Sequence, residues 1–174
     1  MSKDVETVER VIPAPPEKIF ALLADANRHQ DFDGSGTVRA PHEGTPNRLK
    51  LGSKFGMNMR IVMPYSMVST VIEFEENKRI AWQPRPAYPI ANRLAGGRIW
   101  RYELEPVPGG TRVRESWDIT QEAMLTKPTV RAAAGRTRTA MEKTLERLEQ
   151  LLAAEAAQAA PAKKAPARKT AAKK

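Results

Sequence analysis

Three prolines stand within four positions near the start of the chain, at Pro13, Pro15 and Pro16. The residues before them, Val5 to Ile12, alternate and are rich in β-branched side chains, which predicts a strand. Pro13 ends that strand because proline has no amide proton to donate to a ladder. Pro15 and Pro16 suit the first turn of a helix, where amide protons lack partners anyway. The segment therefore predicts a rigid corner between a strand and a helix.

The predicted helix after this corner has one apolar side, and Glu17 lies near the positive N-terminal end of its dipole. Its apolar residues at helical spacing are Ile19, Phe20, Leu22 and Leu23. A second, shorter helical turn is expected over residues 26–30, and two glycines in "DFDGSG" then break it. The chain therefore opens with one strand and two short helical segments.

Six further strand-like segments follow, several of them with residues that alternate at a period of two. They cover residues 37–40, 55–63, 68–74, 79–83, 98–105 and 111–119. The sequence "VPGG" predicts a hairpin between the last two. From Pro128 to about residue 157 there is no proline, and apolar residues recur at helical spacing. This pattern predicts one long helix with a single apolar stripe.

Positive charge is concentrated at the C-terminal end of the chain. The formal net charge is +9 at pH 7, and six charges come from Lys163, Lys164, Arg168, Lys169, Lys173 and Lys174. This end has no large apolar residue, so we expect a folded domain over residues 1–158 and a disordered basic tail of Lys, Ala and Pro over 159–174. The tail resembles those of linker histones and suits weak, non-specific contact with nucleic acid or anionic lipid. A merely solubilising extension is the alternative.

Composition excludes several kinds of chemistry. The chain has no cysteine, which rules out disulfides, thiol nucleophiles and thiolate metal sites. The N-terminal sequence "MSKDVETVER" is charged, and no apolar run approaches the roughly 18 residues of a membrane span. No glycine-rich phosphate loop follows a strand. We therefore expect a cytoplasmic protein with no transmembrane segment and no cofactor.

The order of these elements resembles the helix-grip fold of the START and Bet v1-like (SRPBCC) superfamily, and within it the polyketide cyclase/dehydrase and lipid-transport family. The resemblance covers about residues 5–155 and is carried by "IPAPPEKIFALLAD", "GGRIWRYELEPVPGG" and "TRVRESWDIT". Phe32 stands where relatives often have tryptophan, a change expected to reshape the rim of a cavity without changing the fold.

The resemblance implies an α+β fold in which a seven-stranded antiparallel curved sheet wraps around the long C-terminal helix. A hydrophobic cavity would lie between the sheet and the helix. The proline corner would then fix the first helix so that Phe20 and Leu23 seal one end of this cavity.

Glu115 is the most unusual residue of the predicted interior. Alternation places it on one strand face with Val113, Trp117 and Ile119. A carboxylate there pairs with a cation, shifts its pKa upward or meets a polar group of a ligand, because an unpaired buried charge is costly. We favour an ion pair with an arginine such as Arg60 or Arg101, and contact with a polar group of a ligand is the alternative.

The candidate ligand-binding residues combine aromatic side chains, adaptable methionines and this carboxylate. They are Phe55, Met57, Met59, Trp82, Trp100, Tyr102, Glu115, Trp117 and Met141. Ordinary core packing is the alternative for each apolar member.

Metal sites are not favoured. Asp31, Asp33 and Ser35 resemble the start of a calcium loop, but its twelfth position is His42 instead of the required glutamate, which favours a turn. His29 and His42, the only two histidines, make no convincing zinc site and are expected at the surface. His29 stays a minor candidate for acid-base work, since it lies near the expected cavity mouth.

These observations favour a protein that binds a hydrophobic or amphipathic small molecule, lipid or polyketide-like, in an internal cavity. One alternative is a cyclase or dehydratase in which Glu115, with Tyr102, moves a proton, although no catalytic motif is present. Another alternative is a non-enzymatic interaction protein that binds partners through its basic tail. Ligand identity and oligomeric state are not predicted.

Overall fold

The computed structural model describes residues 4–41, 45–60, 64–87 and 95–159 of the chain. The strands within these residues are β1 (Val5–Ile12), β2 (Val38–Pro41), β3 (Lys54–Arg60), β4 (Pro64–Glu75), β5 (Arg79–Pro86), β6 (Ile99–Val107) and β7 (Gly110–Asp118). The helices are α1 (Pro16–Leu23), α2 (His29–Phe32), α3 (Lys127–Ala132) and α4 (Ala134–Ala159), with a 3-10 turn at Ala26–Arg28. The basic tail after residue 159 lies outside the described residues.

In the described part of the chain, the strands form one antiparallel sheet in the order β1-β7-β6-β5-β4-β3-β2. The outermost strand, β2, is four residues long and pairs with β3 at two positions with a register shift between them. The other six strands form the continuous part of the sheet. This arrangement, closed by the long helix α4, confirms the predicted helix-grip fold.

The core lies between the inner face of the sheet and helix α4. The apolar stripe of α4 is buried at Met141, Leu145, Leu148 and Leu152, as its spacing predicted. These residues belong to one cluster with the buried side chains of the sheet and of α1. The packing of an amphipathic helix on an apolar sheet face is what removes this surface from water.

The proline corner forms as predicted. Pro16 is the first residue of α1, and the four apolar residues of that helix are all buried. The corner is fixed to the start of β7, because the Thr111 hydroxyl donates a 2.8 Å hydrogen bond to the carbonyl oxygen of Ala14. Gly110 allows this close approach: a Cβ there would lie 2.0 Å from the carbonyl oxygen of Ile12.

The predicted long C-terminal helix is confirmed over Ala134–Ala159, but its expected start at Pro128 lies in a separate short helix. Helix α3 ends at Ala132, and Ala133 has φ −86° and ψ −1° before α4 begins. Residues 132–135 are three alanines and a glycine, which offer no large side chain to hold a continuous helix on the core. Helix α3 accordingly has no fully buried residue.

The sequence "DFDGSG" forms a turn, as predicted. The Asp33 carboxylate accepts hydrogen bonds from the backbone amides of Ser35 and Thr37, at 3.1 Å each. The Gly34 amide donates to the Thr144 hydroxyl of α4 at 2.9 Å. A Cβ on Gly34 would lie 2.1 Å from the carbonyl oxygen of Ala140, so only glycine lets the turn approach α4 this closely. In the described ranges, no helix is long and apolar enough to cross a membrane.

Candidate ligand site around Glu115

Glu115 lies near the middle of β7, a strand whose neighbours are β1 and β6. It is opposite Val8 of β1 and Tyr102 of β6 in the pairing register. Glu115 is only 2% exposed, and Val113 and Trp117 on the same face of β7 are also buried. The predicted alternation of β7 is therefore confirmed, and the carboxyl group points into the core.

The two oxygens of this carboxyl group have different surroundings. Tyr102 donates its hydroxyl proton to Glu115 Oε1 at 2.8 Å. Oε2 is buried and has no hydrogen-bond partner among the described residues. Glu115 is thus half-satisfied, an uncommon state for a buried polar group.

The favoured ion pair with Arg101 was wrong. Arg101 makes a two-pronged contact with Glu73 instead, with its Nε 3.0 Å from Oε2 and its Nη2 2.5 Å from Oε1. Arg101 alternates with Tyr102 along β6 and so lies on the opposite face of the sheet from Glu115. The side chain of Arg60, the other suggested partner, lies outside the described side chains. No salt bridge to Glu115 occurs within the part of the chain that the structure describes.

With no cation beside Glu115 among the described residues, its raised pKa favours the protonated form at neutral pH. Burial raises its pKa from 4.5 to about 8, the bond from Tyr102 acts in the opposite direction, and the negative charge of Asp33 adds to the increase. Burial also raises the pKa of Tyr102 well above its ordinary value, so the phenol stays protonated. Because Oε1 accepts from Tyr102, the acidic proton belongs on Oε2. At neutral pH this oxygen is a hydrogen-bond donor that faces the interior.

A stack of rings leads away from this pair. Tyr102 stacks on Trp82 with centroids 5.4 Å apart, and Trp82 stacks on His29 at 5.0 Å. Phe55 meets the edges of this stack, 5.8 Å from Trp82 and 5.6 Å from His29. The structure therefore brings four predicted site residues, Phe55, Trp82, Tyr102 and Glu115, into one continuous apolar wall with a polar end.

His29 was expected at the surface, and this prediction was wrong. The residue is 5% exposed, and its Nε2 lies 2.9 Å from the carbonyl oxygen of Leu23. Burial lowers the pKa of His29, so the ring is neutral, and Nε2 must carry the proton because a carbonyl oxygen only accepts. The spacing of Ala26, His29 and Phe32, three residues apart on one helical face, could have predicted this burial.

The remaining predicted residues lie elsewhere or outside the described side chains. Trp100 is half-buried and tilts against Trp117, with centroids 6.3 Å apart. Trp117 and Met141 are buried in the core. The side chains of Met57 and Met59 and all of His42 lie outside what the structure describes. Among the described residues, no three His, Asp or Glu side chains are grouped so that they could hold a metal ion.

Fold and site together define a helix-grip protein whose apolar interior contains one protonated polar pair. The model of the family described as polyketide cyclase/dehydrase and lipid transport matches residues 5–153. The chain belongs to this family, which confirms the resemblance seen in its sequence.

Comparisons with individual proteins agree with this assignment. The chain is 37% identical over 109 residues to the uncharacterized protein Rv0088 of Mycobacterium tuberculosis, and the match covers 62% of this chain. The match covers 44% of Rv0088, so it extends over less than half the length of that relative.

Solved structures of bacterial proteins share the fold. Protein NE0264 from Nitrosomonas europaea has a TM-score of 0.66 and 17% identity, with 90% of this chain and 99% of that chain covered. Protein MLL2253 from Mesorhizobium loti has a TM-score of 0.64 and 22% identity, with 86% and 97% covered. At these identities the likeness concerns the fold alone.

Proposed function

We propose that this protein binds a hydrophobic or amphipathic small molecule, lipid or polyketide-like, in its interior between the sheet and α4. The observation that supports this proposal is the buried Oε2 of Glu115, which has no partner among the described residues. A buried polar atom without a hydrogen bond costs about 1–3 kcal/mol. A bound molecule that supplies the missing partner would recover that free energy.

The protonation state of Glu115 indicates which ligand group meets it. A protonated Oε2 donates, so the matching group is an acceptor such as a carbonyl, hydroxyl or ether oxygen. A cationic head group is disfavoured, because it offers no acceptor and would need Glu115 to lose its proton. The wall formed by Phe55, Trp82 and Tyr102 suits an apolar, flat body attached to that oxygen.

Binding of the dye Nile red, a flat apolar molecule with a carbonyl oxygen, tests this proposal. Glu115→Leu removes the donor, and we expect its affinity to fall about tenfold, as for loss of a buried hydrogen bond. Glu115→Gln is the matched control, because its amide keeps a donor at nearly the same place. Equal affinities for Glu115→Leu and the wild type, with both proteins folded, would show that Glu115 does not contact the ligand.

A cyclase or dehydratase is a second candidate, favoured by the Tyr102–Glu115 hydrogen bond of 2.8 Å. A carboxylic acid whose pKa is raised to about 8 can protonate a carbonyl or hydroxyl oxygen of a substrate at neutral pH. Binding alone would need only the donor, whereas turnover needs a transferable proton. Glu115→Gln should therefore keep binding but abolish the conversion of a polyketide-like substrate, and retained conversion would contradict the enzymatic role.

The basic tail is proposed to act separately from the domain. Its six positive charges and lack of large apolar residues suit weak electrostatic contact with nucleic acid or anionic lipid. A protein ending at residue 158 should keep the thermal midpoint and Nile red affinity of the full chain while losing salt-sensitive binding to DNA. A midpoint lowered by several degrees would show that the tail packs on the domain.

A further inference from the structure

The loop between β7 and α3 exposes two large apolar side chains side by side. Met124 is 91% exposed and Leu125 is 73% exposed, more than any other exposed large apolar residue among those described. Adjacent apolar side chains at the surface are a common feature of interaction sites. Neither residue is explained by the interior site.

This exposure belongs to a loop that is firmly held. The backbone amide of Ala123 donates to the carbonyl oxygen of Gly96 at 3.0 Å, and the Thr126 amide donates to the carbonyl oxygen of Ala123 at 3.1 Å. The segment before β6 packs closely against this loop, since a Cβ on Gly97 would lie 2.0 Å from the carbonyl oxygen of Gln121. Met124 and Leu125 therefore project from a fixed backbone between two anchored residues.

The chain next to this apolar pair is positively charged. Residues 123–141 contain four basic residues and no acidic residue; the basic residues are Lys127, Arg131, Arg136 and Arg138. Lys127 and Arg131, the two bases nearest in sequence to the apolar pair, share the single carboxylate of Asp4, which precedes β1. Arg138 pairs with Glu6 of β1 and with Glu142 of α4. Four bases against three carboxylates leave a net charge of +1, and no salt bridge joins Arg136 to another described residue.

We propose that Met124, Leu125 and the adjoining bases form a docking surface for an anionic lipid membrane. Two apolar side chains beside positive charge match the boundary between acyl chains and anionic head groups. A protein partner is less well matched, because specific protein interfaces bury roughly 800 Å² on each side and this pair offers far less. The proposal does not depend on the interior site.

The test measures binding of the full chain to vesicles of phosphatidylglycerol and phosphatidylcholine at low and at high salt. High salt screens the basic tail, whereas insertion of apolar side chains persists. We expect Met124→Ser/Leu125→Ser to lower the partition coefficient at least about tenfold at high salt. Leu51→Ser is the matched control, because Leu51 is 66% exposed elsewhere on the molecule, and its binding should equal that of the wild type.

Three results would overturn the proposal. The first is equal binding of the double variant and the wild type at both salt concentrations. The second is complete loss of wild-type binding at high salt, which would assign all binding to the tail. The third is a dimer in sedimentation experiments that the double variant separates, because the apolar pair would then be covered by a second copy of the chain.

Discussion

Two buried glutamates, seven positions apart, lie in very different surroundings. Glu122 follows β7, and its Oε1 accepts hydrogen bonds from the Gly96 amide at 3.0 Å and the Thr126 hydroxyl at 2.7 Å. Its Oε2 accepts from the Arg98 amide at 3.0 Å, and the Arg98 Nε lies 3.3 Å away. Glu115, inside the sheet, has a single donor on one oxygen.

The difference separates a carboxyl group that holds the fold together from one to which we assign a role in ligand binding as a proposal. Glu122 joins the segment at Gly96–Arg98 to the loop before α3, and each of its oxygens has a partner. Among the described residues, Glu115 makes a side-chain hydrogen bond only with its cross-strand neighbour Tyr102, and its Oε2 has no partner. A buried polar atom without a partner among the described residues costs free energy, and this cost is the observation that supports the proposed ligand.

The largest expected effect is the loss of stability when Glu122 is replaced by leucine. Two backbone amides and the Thr126 hydroxyl would lose their acceptor, and the partly buried Arg98 guanidinium would lose its counter-charge. We expect the free energy of unfolding to fall by about 3–5 kcal/mol, the range for breaking a buried charged contact from one side. Urea unfolding measures this change in free energy. A loss below about 1 kcal/mol would show that Glu122 is no more important to stability than an ordinary residue, and the two glutamates would then not differ as argued.

The next effect is a dependence of stability on pH that comes from Glu115. Its pKa is raised to about 8 in the folded protein and is near 4.5 when exposed. Between these values the folded state holds a proton that the unfolded state has lost, so stability falls as pH rises, and it levels off above about 8. The slope within this window is about 1.4 kcal/mol per pH unit.

Glu115→Gln removes this titration, so the difference in unfolding free energy between wild type and variant should change with pH by that slope. Urea unfolding of both proteins at a series of pH values measures this difference, because the other carboxyl groups are present in both proteins and their contributions cancel. A constant difference across the window would mean that Glu115 is ionised in the folded protein.

The smallest effect is expected when the Glu115 pair is replaced by apolar residues of similar shape. In Glu115→Leu with Tyr102→Phe, both hydrogen-bonding partners are removed together, which is nearly neutral or stabilising. We expect the free energy of unfolding to change by less than about 1 kcal/mol or to rise. A large loss would assign the pair a structural role like that of Glu122.

Sequence patterns predicted the architecture well, because the spacing of apolar residues indicates which face of each helix or strand is buried. The stripe of α4 and the inward face of β7 followed from periodicity alone, and the corner followed from the positions of its prolines. The break at Ala133 did not, because alanine is a good helix former and residues 132–134 carry no stop signal.

The site was predicted less completely, because residue types do not reveal which side chains meet. The Tyr102–Glu115 pairing follows once the turn at Pro108–Gly109 is placed, since Val107 then pairs with Gly110 and the register is fixed. Arg101 could have been rejected as a partner from alternation alone. The spacing of Ala26, His29 and Phe32 could have predicted the burial of His29, but its stacking on Trp82 of β5 is a long-range contact that no local pattern contains.

The central claim is that the Glu115 carboxyl group is protonated at neutral pH and can donate a hydrogen bond to a ligand in the interior. Carbon-13 NMR of labelled glutamate, with Glu115→Gln to assign the signal, measures its titration directly. The account predicts a single carboxyl resonance that titrates near pH 8 and moves when Nile red binds. A resonance that titrates near pH 4.5 would show that Glu115 is ionised at neutral pH, and it would contradict the account.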